Sequence, residues 1–115
     1  MNTKRALAVF LLVSVFSIPA FGEVIKGYYP SGKLMTEQNL KNGKQEGISK
    51  KYYKNGKIQT ELNFKNGKQE GISKEYHENG RIQFIDTYKA GKMINRKSYS
   101  RKGNLEFDQD YQYVE

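Results

Sequence analysis

The chain has 115 residues and a formal net charge of +8, with 20 Lys and Arg against 12 Asp and Glu, one histidine, and neither cysteine nor tryptophan. That length holds one domain; the missing cysteines exclude disulfides and thiolate metal sites, and a lone histidine argues against zinc. Glu106, Asp108, Asp110 and Glu115 crowd the last ten residues, which hold no Lys or Arg. A basic body with a short acidic tail suits polyanions or anionic lipid, or simply solubility.

The first element is a targeting segment. Lys4 and Arg5 precede the apolar run Ala6–Ile18, and Pro19-Ala20-Phe21-Gly22 follows, with small residues at −3 and −1 for cleavage before Glu23. The run is too short for a bilayer, which takes roughly 20 apolar residues. The expectation is a signal-peptide helix in 1–22 and an exported domain in 23–115. No cysteine follows the run to take a lipid.

The body repeats. "KNGKQEGISK" fills 41–50 and again 65–74, within units 28–51, 52–75, 76–98 and a partial 99–115. A period in the twenties signals a repeat architecture, whose units bury their apolar sides only by stacking on neighbours. Turn signals fall at Gly32, Gly43, Gly56, Gly67, Gly80, Gly91 and Gly103, spaced 11, 13, 11, 13, 11 and 12 apart. Asn precedes four of these glycines, and Asn-Gly is the strongest short hairpin signal because a type I′ turn needs positive φ at both central residues. The segments between suit strands, so the pattern predicts an all-β, open antiparallel meander of about eight short strands. Ala90, before Gly91, tolerates positive φ poorly and stands against the pattern.

A two-residue loop at Asn55-Gly56 sets Tyr53 opposite Ile58, Tyr52 opposite Gln59 and Lys50 opposite Glu61. The same register sets Lys26 opposite Glu37 and Lys97 opposite Asp108, while Lys74 meets Ile85. Opposite charges thus recur in three of four hairpins, each pair contributing about 0.2–1 kcal/mol. Alternation gathers Tyr53, Ile58, Thr60, Leu62 and Phe64 on one side, with Tyr29, Leu34, Thr36 and Leu40 before them and Ile82, Phe84 and Tyr88 after. Gly71 interrupts that side and marks a bulge or a close approach.

Tyr-x-Asn-Gly-Lys-Ile/Leu followed by Lys-Asn-Gly-Lys-x-Glu-Gly resembles the MORN-repeat variant family of bacteria, whose members often carry the label of YwqK-like antitoxins. "FKNGKQEGISKEY" at 64–76 shows the signature best, and the resemblance covers 28–113. The third unit departs: Asn95 stands where Gly47 and Gly71 stood, and "MINRKS" lacks the Glu-Gly pair. The resemblance implies an elongated β-meander that binds and implies no reaction. An export signal fits poorly with neutralising a cytoplasmic toxin.

The residues carry little chemistry. A Ser-His-carboxylate site would pair His77 with Ser73 or Ser49, but His77 occupies the slot of Tyr53 and Tyr29. Glu46 and Glu70 recur with the period, and "GKQEG" lacks the spacing of a phosphate loop. The expectation is a bacterial, non-enzymatic protein without cofactor or metal, exported to periplasm, cell surface or medium, that binds a protein partner. An antitoxin or immunity role against one toxin is a special case. The alternative is an anionic membrane surface, read by Lys41, Lys44, Lys65, Lys68, Lys89 and Lys92 with Tyr29 and Tyr53 between them. The same lysines would equally guard sheet edges against aggregation. Nucleic acid fits an exported protein poorly, and two open edges permit self-association.

Overall fold

The computed structural model describes residues 22–113; residues 1–21 of the expected signal peptide lie outside them. The described residues form one antiparallel sheet and no helix. The strands are β1 (Gly22–Tyr28), β2 (Leu34–Lys41), β3 (Lys44–Gln45), β4 (Gly47–Tyr52), β5 (Ile58–Lys65), β6 (Lys68–Gln69), β7 (Gly71–Tyr76), β8 (Ile82–Lys89), β9 (Lys92–Tyr99) and β10 (Leu105–Asp110). Their order across the sheet is β1-β2-β4-β5-β7-β8-β9-β10, with β3 on β2 and β6 on β5. Chain order and spatial order therefore coincide, as in a meander.

Ten strands replace the expected eight because Glu46 and Glu70 interrupt two of them. Gly47 and Gly71 hold φ of +84° and +85°, a region closed to most side chains. The strand kinks there, and the Glu46 and Glu70 N–H groups donate to the Asn39 and Asn63 carbonyls at 2.9 and 3.0 Å. In the third unit Asn95 takes the place of that glycine, and β9 runs unbroken from Lys92 to Tyr99.

The seven turns are of two kinds. At Asn42-Gly43, Asn66-Gly67 and Ala90-Gly91 both residues have positive φ, with Asn42 at 53°, Asn66 at 50° and Ala90 at 50°. These are the expected type I′ turns, and Ala90 adopts the strained conformation regardless. At Gly32, Gly56, Gly80 and Gly103 only the glycine has positive φ. Gly56 N–H donates to Tyr53 O at 2.9 Å and Tyr53 N–H to Lys57 O at 2.8 Å, a type I turn closed by a glycine bulge. Here the asparagine accepts instead: Asn55 Oδ1 takes Lys57 N–H at 2.9 Å.

That second turn corrects the register near it. Lys50 faces Glu61 as expected, but a bulge follows Lys51, and Tyr52 rather than Tyr53 pairs with Ile58. The extra residue also swaps faces. Ile82 lines a shallow depression with Ile85 and Tyr99, so it does not share the side of Phe84, which packs on Arg96.

Eight strand positions at about 4.8 Å apart make a ribbon roughly 34 Å wide. It is one layer thick. Among the described residues no hydrophobic side chain is buried; Ser49, Ser73, Asp86 and Ser98 are the buried ones. Apolar side chains on both faces are shielded only by their neighbours along the sheet.

Candidate functional site

Successive hairpins are tied together by side chains that the repeat restates. The Tyr29 hydroxyl donates to the Tyr52 carbonyl, and the Tyr53 hydroxyl to the Tyr76 carbonyl, both at 2.5 Å. His77 Nε2 lies 2.9 Å from the Tyr99 carbonyl, a contact in which the ring N–H donates. His77 thus does the work of the tyrosines whose slot it occupies. Ser49 and Ser73 direct their hydroxyls to Gln45 and Gln69 Oε1 at 2.9 and 3.2 Å. The groups weighed as a catalytic set are engaged in separate contacts. Tyr29 and Tyr53, expected on a binding surface, are half-buried struts.

Glu46 and Glu70 have a parallel role at the other ends of the strands. Glu46 Oε1 accepts from Asn66 N–H at 3.0 Å, and Glu70 Oε1 from Ala90 N–H at 2.9 Å. The Gly67 and Gly91 N–H groups donate to the Gln45 and Gln69 carbonyls at 2.9 and 3.0 Å. The second and third type I′ turns are therefore each clamped onto the one before.

This stacking sets the six candidate lysines in a row. Lys41 pairs with Lys44, Lys65 with Lys68 and Lys89 with Lys92. All six are exposed at one edge of the ribbon, and Lys92 Nζ sits 5.1 Å above the Tyr113 ring. The opposite edge is basic too. Lys33, Lys54, Lys57, Arg81, Arg101 and Lys102 flank the bulged turns and are exposed. Sequence reasoning passed over this second edge, although the alternating 11 and 13 glycine spacings separate the two sets of turns.

One face is an alternating charge line. Lys26, Glu37, Lys50, Glu61, Lys74, Ile85, Lys97 and Asp108 are paired in succession across eight strands. Lys26 Nζ and Glu37 Oε2 approach to 3.9 Å. The hairpin pairs were legible in the sequence; the joining pairs Glu37·Lys50 and Glu61·Lys74 were not. The Tyr76 hydroxyl donates to Glu61 Oε1 on this face. Burial first, then that bond and the Glu61 charge, push its pKa up to about 12.

The other face is the candidate binding face. Leu62, Phe64, Phe84 and Tyr88 lie half-exposed along it, and Phe107, which pairs with Ser98, is 47% exposed. Asp86 is buried at its centre. Arg96 reaches it with two bonds, Nε to Oδ1 at 2.7 Å and Nη2 to Oδ2 at 2.8 Å, and also lies 3.4 Å from Glu75 Oε2 and 3.9 Å above the Phe84 ring. The Asp86 bonds raise the Arg96 pKa further. Sequence reasoning missed this pair. Its signal was the departure of the third unit from the repeated wording.

The geometry defines a class: a single-layer ribbon of repeated antiparallel hairpins, with part-exposed apolar side chains and no assembled reactive centre among the described residues. Residues 24–42, 45–66 and 69–90, together more than half of the chain, each match the MORN repeat variant family. The chain belongs to that family. No curated protein matches it. Among solved structures it is similar to one described as accessory secretory protein 1,2 and 3 in Streptococcus pneumoniae, with 19% identity and a TM-score of 0.48. That match covers 81% of this chain and spans only 18% of the other.

Proposed function

We propose that this protein is an exported, non-enzymatic repeat scaffold that docks a protein partner on its apolar face. The observation that carries the reading is that the described residues form a single layer, with no second one over it. A sheet ordinarily covers its apolar face with another element, whereas Leu62, Phe64, Phe84, Tyr88 and Phe107 are left part-exposed with no buried hydrophobic residue beneath them. Aromatic side chains are the usual anchors of protein interfaces. The experiment is affinity capture from native envelope extract, comparing the chain with a Phe64→Glu variant. A partner retained by the parent and lost by a folded variant supports the reading, and equal retention overturns it. A toxin as the captured partner would select the immunity-type role.

Export rests on the 1–22 segment. N-terminal sequencing of protein from the native host should find Glu23 first, and an intact Met1 on a soluble cytoplasmic product would overturn export. The six-lysine edge favours a second reading, a peripheral contact with anionic lipid. Co-sedimentation with anionic but not neutral vesicles, reversed by about 0.5 M salt through screening, would support it. Equal behaviour with both vesicles would remove it.

A further inference from the structure

Among the described residues no strand pairs the far side of β1 or of β10. β1–β2, β4–β5, β7–β8 and β9–β10 are four hairpins of one pattern, in which Lys26·Glu37, Lys50·Glu61, Lys74·Ile85 and Lys97·Asp108 hold the same place. Successive hairpins join through Glu37·Lys50, Glu61·Lys74 and Ile85·Lys97. The charge line therefore starts on Lys26 and ends on Asp108, with opposite signs at its two ends.

Backbone parity agrees. The Tyr111 N–H donates to the Ile94 carbonyl at 3.0 Å, and antiparallel donors alternate along a strand, so Asp110 and Asp108 turn their N–H groups away from β9. Lys26 holds in the first hairpin the place that Lys97 holds in the fourth, so its N–H points away from β2. Strand direction alternates across the eight positions, which makes β10 antiparallel to a β1 set beside it. We propose that copies of this chain associate head to tail, β10 of one against β1 of the next, with Asp108 opposite Lys26 of the next copy.

That junction repeats the internal junctions Glu37·Lys50 and Glu61·Lys74. It sets Gln109 opposite Ile25 and Phe107 opposite Gly27. Val24, Ile25, Leu105 and Phe107, exposed by 54%, 46%, 55% and 47%, become inner-strand residues. Charge also selects against one competing pairing. Two β10 edges would bring Glu106, Asp108 and Asp110 against their own copies, so those two edges repel. A head-to-tail contact leaves both ends able to add another copy, so it grows beyond a dimer. This assembly uses the sheet edges and leaves the apolar face of the proposed partner site open.

Sedimentation velocity over a concentration series should show species that grow past the dimer. Lys26→Glu alone and Asp108→Lys alone should each weaken association by about tenfold or more, since each sets like charges across the junction. An equal mixture of the two variants should restore growth, because Lys at 108 then meets Glu at 26 and Asp108 meets Lys26. Far-UV circular dichroism checks that each variant is folded. As a second readout, the Ile25→Cys, Gln109→Cys double variant should give a ladder of disulfide-linked multimers under mild oxidation. A monomer at all concentrations, association that stops at the dimer, or a mixture no better than its parts would overturn the proposal.

Discussion

The Tyr53 hydroxyl donates to the carbonyl oxygen of Tyr76, 23 residues along the chain, at 2.5 Å. Tyr29 and Tyr52 repeat the relationship at the same separation and distance. Each bond ties one hairpin to the next outside the strand ladder. Tyr53→Phe keeps the ring and leaves the carbonyl without this donor, so it should cost about 1–1.5 kcal/mol of unfolding free energy. Urea denaturation measures it. Tyr29→Phe should cost a similar amount, and a variant as stable as the parent would show that water replaces the hydroxyl without loss.

The turn conformations predict opposite effects at two neighbouring repeats. Gly67 has φ of +82°, where a β-branched side chain is strained, so Gly67→Val should cost more than about 1 kcal/mol. Lys68→Val, at a strand position, should change stability by less than about 0.5 kcal/mol. Ala90 already carries the strain at φ 50°. Ala90→Asn, which suits the left-handed region better, should stabilise by about 0.5–1 kcal/mol. Chemical denaturation of the three variants checks the ranking. Equal losses at Gly67 and Lys68 would contradict the turn assignment.

Asp86 and Arg96 predict a larger loss. The Asp86 side chain is 4% exposed and holds both guanidinium bonds of Arg96. Asp86→Ala removes the main counter-charge of a half-buried cation and should cost about 2–4 kcal/mol. Asp86→Asn retains one acceptor and should cost less. The same denaturation assay resolves the two, and an unchanged midpoint for Asp86→Ala would mean that Glu75 and water fully replace the pair.

Tyr76 gives a pH dependence with a definite sign. Its pKa is raised from 10.0 to about 12 in the folded chain, so the folded state holds the phenol proton more tightly than the unfolded state. The stabilisation from this group is complete below pH 10 and is lost as pH rises towards 12. Urea midpoints of the parent should therefore fall more steeply over that window than those of Tyr76→Phe. Parallel declines would show that burial and the Glu61 contact do not hold the proton.

The hairpins were legible because their signals are local. Glycine spacing marked each reversal, and counting outward from Asn55-Gly56 reached Lys50 and Glu61 correctly. The count failed between them, at Tyr52 and Ile58, because one dipeptide serves two turns. Asn66 supplies a left-handed backbone, while Asn55 supplies a side-chain acceptor. Only the strand ends, brought together by folding, select between them. The tie made by Tyr29 and Tyr53 was illegible for a related reason. Alternation assigns a side of the strand, but not the hydroxyl's reach to a carbonyl 23 residues away. The Asp86–Arg96 pair was illegible because Leu62 and Ile72 stand one repeat period earlier, so the repeat does not restate it.

The single layer has a mechanical consequence. Resistance to bending rises steeply with thickness, and a sandwich stiffens because its two sheets cannot slide past each other. A ribbon whose buried side chains are Ser49, Ser73, Asp86 and Ser98 lacks that brace. Its strands can pivot about their ladder bonds at little cost, while Tyr29, Tyr53 and His77 hold adjacent hairpins at fixed spacing. Such a sheet is stiff to stretching across its strands and compliant to curling, so it can take its curvature from whatever convex surface it covers.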